Sequence, residues 1–396
     1  MLFQLFFITL IFLSSGCFNF KHHHHRRRRI QLDAKPVHDP LNHKQFPVYK
    51  KNGSKRDLAL YLLKKYHPDG YYIIQRYEKM VKRFRVRRIG NFGKKGFMVW
   101  ARGKGRRSVI NGLGTMVHES NHSFTSMYPR RYFKLSKSRR RPWGFRGYGY
   151  YINREKSIIV QFNRVFPARK IRHLFPKSFH KGKMLNFRFT TYVYPSSRTQ
   201  STQVHGIFGL LDEFNSYYHG CQAHMKMLPY YKTMKKNDYK GMGKYFSNVN
   251  GTRFAYHEFK LFILLYMIKA KISYPHIYQA LLQNKPFLRA FLTIEKNYSN
   301  LLNEYQGIKS KLKIWLKKRG HRLEETESSI FIKKRRLGRH IGYGHFNKVI
   351  AAYDKELAKP KYRAMMKIMA KHKTEKVDTH SKDENSAIQH EKSGKF

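Results

Sequence analysis

Acidic side chains are scarce in this chain. Only 23 of its 396 residues are Asp or Glu, against 82 Lys and Arg, which leaves a formal net charge of +59. A field of that sign draws anions, whether nucleic acid, anionic lipid or envelope polymer, or acidic protein, and charge alone does not choose among them. Cysteine is scarcer still: Cys17 and Cys221 are the only two, too few for a disulfide framework. Long apolar runs are missing too. Leu2–Leu13, broken only by Gln4 and Thr9, is a twelve-residue apolar run, too short to span a bilayer. The strongest later stretch, within Arg253–Lys271, is punctuated by Lys260, Lys269 and Lys271 and reads as a core helix. Core-forming residues are not in short supply. At 41% hydrophobic and 15% aromatic, the composition is that of a folded protein, long enough for one large or two ordinary domains.

The twelve-residue run ends in Ser14-Ser15-Gly16-Cys17, small residues leading into a cysteine. This resembles a bacterial lipoprotein signal. The resemblance implies export, lipidation of Cys17 and a place in the cell envelope; the plainer alternative is an ordinary cleaved secretory signal. A lipidated Cys17 would leave Cys221 without a partner. Residues 1–17 are therefore read as the signal sequence and residues 18–54 as a basic tether containing Lys21–Arg29, KHHHHRRRR. Such a run can press on anionic headgroups and reinforce a single lipid chain that anchors weakly alone. Residues 55–370 are read as the main folded region, sheet-containing over 55–200 and helical over 201–370, and residues 371–396 as a disordered polar tail.

Periodicity predicts helix from Arg56, through Leu58, Leu62 and Leu63 and then Ile73, Ile74, Tyr77 and Met80. Phe97–Ala101 reads as a strand after a Gly93–Gly96 turn, and Gly112-Leu113-Gly114 as the approach to a helix that Pro129 ends. Arg130–Tyr151 reads as a basic excursion. Further strands are predicted at Ile158–Phe162 and Phe187–Tyr194, and helices over Gly206–Met227, Arg253–Lys271 and Phe287–Lys318.

Within the predicted helix lies Thr115–Phe124, TMVHESNHSF, ten residues without Lys or Arg. His118 and His122, one helical turn apart on one face, can reach a single ion, and Glu119 is placed to take a proton from a water attacking a carbonyl. A chain of this composition would show His-Glu-x-x-His by chance on the order of 0.04 times. The segment resembles the metal helix of zincin metallopeptidases: Thr115 stands three residues before the first His, uncharged residues follow, and Phe124 comes after the second. The resemblance implies zinc, a zincin-like α+β fold with a small mixed sheet beside the metal helix and a mainly helical C-terminal half, and a peptide substrate.

Zinc held by two histidines takes a third protein ligand. The metzincin extension fails, because Thr125 and Tyr128 stand where its glycine and third histidine belong. Between His122 and Arg253 the only glutamates are Glu155, in a turn-like Asn153–Lys156, and Glu213, inside an apolar helix. Two adjacent carboxylates there, Asp212 and Glu213, need a cation. With Ser216 three residues on, Glu213 resembles the third ligand of gluzincins; Tyr217 replaces the usual Asp, so Asp212 or another residue must orient His118. His219 is the competing ligand, ahead of His205, His224 and Cys221. Tyr217 and His219 are candidates to stabilise the transition state, and His257-Glu258 reads as a polar edge on a core helix.

The expectation is an exported, lipid-anchored Zn²⁺ metallopeptidase acting on a protein or peptide, with an anionic membrane or envelope surface as partner. The export signal argues against nucleic acid. The rival is a non-enzymatic basic binding protein of the envelope or of nucleic acid with a vestigial metal motif.

Overall fold

The computed structural model describes residues 53–83, 96–103, 105–132, 146–182, 184–185, 187–232, 239–327, 329–334, 340–344 and 347–374. The signal sequence with Cys17, nearly all of the tether and the tail beyond Thr374 lie outside these residues. The fold is α+β and predominantly helical. Helix α1 (Lys55–Tyr66) begins at a reciprocal cap: Ser54 Oγ accepts from Asp57 N at 3.2 Å, and Asp57 Oδ2 accepts from Ser54 N at 3.1 Å. Helix α2 (Pro68–Arg83) starts on a proline, whose missing N–H is harmless at that position. It buries Ile73, Ile74, Tyr77 and Met80, the stripe that the periodicity predicts.

Both helices pack on α3 (Gly105–Tyr132), which carries the His-Glu-x-x-His motif. This helix begins earlier than the sequence implies. The chain turns into it through Gly103 and Gly105, both at positive φ, so Gly112 and Gly114 lie within the helix rather than before it. Pro129 also lies inside, three residues from the end, where the loss of one hydrogen bond does not stop the last turn. Elements press on α3 from several sides, so even Ser120, Asn121 and Thr125 are buried.

The sheet beside α3 follows it in sequence. Strands β1 (Gly147–Tyr151) and β2 (Ser157–Gln161) pair antiparallel, Gly147 opposite Gln161 and Tyr151 opposite Ser157. Their turn is closed by Asn153 Oδ1 accepting from Glu155 N at 3.1 Å. The expected strand at Phe97–Ala101 is instead a helical turn over 96–100, with Phe97 inserted in the core. The expected strand at Phe187–Tyr194 is a wide helical turn over Phe189–Val193. Both segments are rich in β-prone side chains but have no neighbouring strand to pair with among the described residues, and apolar burial sets their conformation. The basic excursion is part strand: its end, Gly147–Tyr151, is β1, while residues 133–145 lie outside the described set.

Helix α4 (Ile207–Lys226) is the axis of the molecule, with every residue from Ile207 to Cys221 buried. It packs on α3, on α5 (Tyr239–Arg253) and on α6 (Ala255–Ser273). A helix covered all round must be apolar or have its polar groups answered. Helices α7 (Pro275–Gln283) and α8 (Lys285–Lys317) follow. The C-terminal half is not wholly helical: β3 (His321–Glu325), β4 (Ser329–Lys334) and β5 (His340–Gly344) form a second antiparallel sheet, followed by α9 (Asn347–Leu357) and α10 (Pro360–Thr374). Neither sheet is mixed. Among the described residues no helix is long and apolar enough to cross a membrane.

Candidate metal centre

Helices α3 and α4 meet on glycines. A Cβ built on Gly220 of α4 would stand 3.0 Å from the carbonyl oxygen of Gly114 and 3.3 Å from His118 Cβ. One built on Gly114 would stand 2.1 Å from His224 Nε2. Gly114 lies one turn before His118, and Gly220 lies two turns after Glu213, so each glycine shares a face with a candidate ligand. The close crossing brings the ligands of the two helices together.

His118 Nε2 and His122 Nε2 are 3.0 Å apart; Glu213 Oε2 lies 3.3 Å from His122 Nε2 and 3.7 Å from His118 Nε2. Zinc bonds of 2.0–2.1 Å at tetrahedral angles put neighbouring ligand atoms about 3.3 Å apart. The three atoms thus form one face of a zinc-sized tetrahedron and could hold a metal ion. Glu213 Oε2 is buried and takes no hydrogen bond among the described residues. An unanswered carboxylate oxygen facing two imidazole nitrogens fits a cation well. The site is not sealed from solvent, since the His122 side chain keeps 23% of its surface exposed.

The outer nitrogens of the histidines are also engaged. His122 Nδ1 donates to Asp212 Oδ2 at 2.7 Å, which leaves Nε2, once unprotonated, as the nitrogen that can bind an ion. Ser216 Oγ lies 3.2 Å from the same Nδ1 and accepts from Asn121 Nδ2 at 3.0 Å. The ring of His118 is hydrogen-bonded by the backbone of Ser216. Asp212 therefore serves His122, not His118 as the sequence reading allowed; backbone takes the place of the missing Asp at Tyr217.

Burial lowers His122's affinity for a proton, but the carboxylates of Asp212 and Glu213 outweigh it and hold the imidazole well above its ordinary range. Burial lowers His118 well below that range, with the charges of His122 and Arg188 in the same direction. Glu119 is lifted to about 7 by burial; His122 opposes the rise, Glu213 and Asp212 add to it, and Arg102 opposes it.

The other candidates lie elsewhere. His219 points away, its Nε2 3.1 Å from the carbonyl of Tyr151, so it neither ligates nor faces the reacting atoms. His205 packs on Phe162 and Tyr148, His224 fills the space over Gly114, Cys221 is buried and free, and Glu155 is exposed in the hairpin turn. Tyr217 does sit at the site. Its ring meets His118 edge-on with centroids 4.5 Å apart, and its hydroxyl is 3.2 Å from that of Tyr192.

Behind Tyr217 lies Arg188, which no local pattern in the sequence marks. Its guanidinium stacks 4.5 Å from the Tyr217 ring centre and donates from Nη1 to Glu258 Oε2 at 2.8 Å and from Nη2 to the carbonyl of Gly251. Glu258 is fully buried, the anionic half of an internal ion pair rather than a polar edge. No family model matches the chain, and no curated protein or solved structure shows detectable similarity to it.

Proposed function

We propose that this protein is a zinc-dependent metallopeptidase of gluzincin type with a zincin-like catalytic region. The observation carrying this reading is the triangle of His118 Nε2, His122 Nε2 and Glu213 Oε2, held by two crossing helices with Glu119 beside it. Zinc, when bound there, would polarise the scissile carbonyl and acidify a water. His118, His122 and Glu213 would hold it, Asp212 fixing the tautomer of His122 and the Ser216 backbone the orientation of His118. Glu119 accepts the proton of the attacking water and delivers it to the departing amine. Tyr217 braces His118 from the side; its hydroxyl is taken up by Tyr192.

The test is cleavage of a diverse peptide mixture by the full chain, read by mass spectrometry. The wild type should generate defined fragments, and Glu119→Gln should lose roughly 10²–10⁴-fold in rate. Equal rates in the two proteins would contradict the assignment. The rival reading, a basic polyanion binder with a vestigial motif, predicts no cleavage and a binding affinity that falls steeply with salt. Export and anchoring through Cys17 belong to the same proposal, with the basic tether resting on an anionic surface. The expressed protein should partition into detergent and lose that partitioning in Cys17→Ser; partitioning unchanged by that substitution would contradict the anchor.

A further inference from the structure

The segment entering α3 covers the face that carries Glu119. Phe97 is buried, the guanidinium of Arg56 lies 5.8 Å over its ring, and Lys55 Nζ donates to the carbonyl of Gly103 at 2.9 Å. The carbonyl of Trp100 rests directly on Gly112, where a Cβ would come within 2.4 Å of it. Only glycine allows that approach. Gly112 and Glu119 are seven residues apart, two turns and about 10 Å along one face of the helix. The pinned segment therefore lies on the face of α3 that carries Glu119, about two turns before it.

Arg102 projects from this segment. It is exposed, and its guanidinium lies 5.2 Å from the centre of the Trp100 ring, a stacking that limits its freedom. Among the described residues it has no ion pair and no hydrogen bond. The carboxylate whose charge it feels is that of Glu119. A guanidinium fork is suited to two parallel bonds with a carboxylate, and one already stacked loses less freedom on forming them.

We infer that Arg102 is a specificity-determining residue that receives a carboxylate of the peptide substrate. This rests on the metallopeptidase reading. A peptide offers that group from an Asp or Glu side chain or from its C-terminus, and the chain's strong positive charge would gather such substrates.

The test uses the full chain and three dipeptide hydroxamates, which grip zinc through the hydroxamate. One ends in a free carboxylate, one in an amide, and one in an amide with an Asp side chain. Zinc content is measured first, and binding of each probe follows by calorimetry. Wild type should bind at least one carboxylate-bearing probe about ten- to a hundredfold tighter than the neutral one, as expected for a charged hydrogen-bonded contact. Whichever probe gains identifies the source of the carboxylate. Arg102→Gln should abolish the difference without lowering zinc content, and Arg102→Lys should keep part of it. Equal binding of all three probes by zinc-loaded wild type, or a preference that survives in Arg102→Gln, overturns this inference and leaves the metal site standing. A wild type that takes up no zinc overturns both.

Discussion

Two buried helices in this protein carry carboxylates in the core, one on α6 and two on α4, and they treat them in opposite ways. On α6, Glu258 is answered by Arg188 through a 2.8 Å charged hydrogen bond. On α4, Asp212 and Glu213 face two imidazoles, and no Lys or Arg pairs with either among the described residues. The chain has 82 Lys and Arg to draw on, so the omission is not for want of cations. A guanidinium neutralises a carboxylate permanently and fills its lone pairs. Imidazoles leave a carboxylate oxygen open to a metal, which can also bind substrate. The first pair is structural; the second has the composition of a site.

The sharpest way to break this comparison is to remove one partner from each pair. Arg188→Met takes the guanidinium away from the fully buried carboxylate of Glu258, and should destabilise the fold by about 3–5 kcal/mol in chemical denaturation. Glu213→Gln should change the stability of protein stripped of metal far less, or raise it, while abolishing metal binding. Comparable losses of stability in the two variants would mean that α4 and α6 carry the same kind of pair.

The glycine crossing gives the next largest effect. Gly114→Ala puts a methyl into the His224 ring and should cost about 1–3 kcal/mol, as overpacking does. Because it also forces α3 from α4, metal affinity should fall with stability; an unchanged affinity would show that the crossing does not set the ligand distances. Asp212→Asn should leave the fold intact and weaken metal binding about 10–100-fold, read by competition with a chelating dye.

The smallest effect is a proton count. Asp212 and Glu213 hold His122 protonated above the ordinary imidazole range, and a metal needs its Nε2 unprotonated, so metal binding should release a proton. Affinity should then rise with pH until His122 loses its proton without help. Calorimetry in buffers of different ionisation heat reads that release directly, and finding none would show that His122 is already neutral.

The sequence made the ligands legible because both signals are local. His118 and His122 are tied by helical spacing, and Glu213 stands out because carboxylates are rare here and rarer within apolar stretches. Elements with a clear helical period, such as α2 and α8, were legible for the same reason. Phe97–Ala101 and Phe187–Tyr194 were not: their side chains favour strands, and what decides against it is non-local, the burial of their apolar side chains with no pairing strand among the described residues. Arg188 and Glu258 lie 70 residues apart, and nothing local marks either as the other's partner. The glycines in α3 and α4 did carry a signal. Each repeats the face of a ligand, which marks a close helix crossing rather than a loop.

The central claim is that His118, His122 and Glu213 jointly hold one metal ion. Elemental analysis of protein purified in the presence of zinc tests it most directly. The account predicts about one zinc per chain, kept in Glu119→Gln and lost in Glu213→Ala. Protein that holds no stoichiometric metal, or holds it equally well in Glu213→Ala, would contradict it.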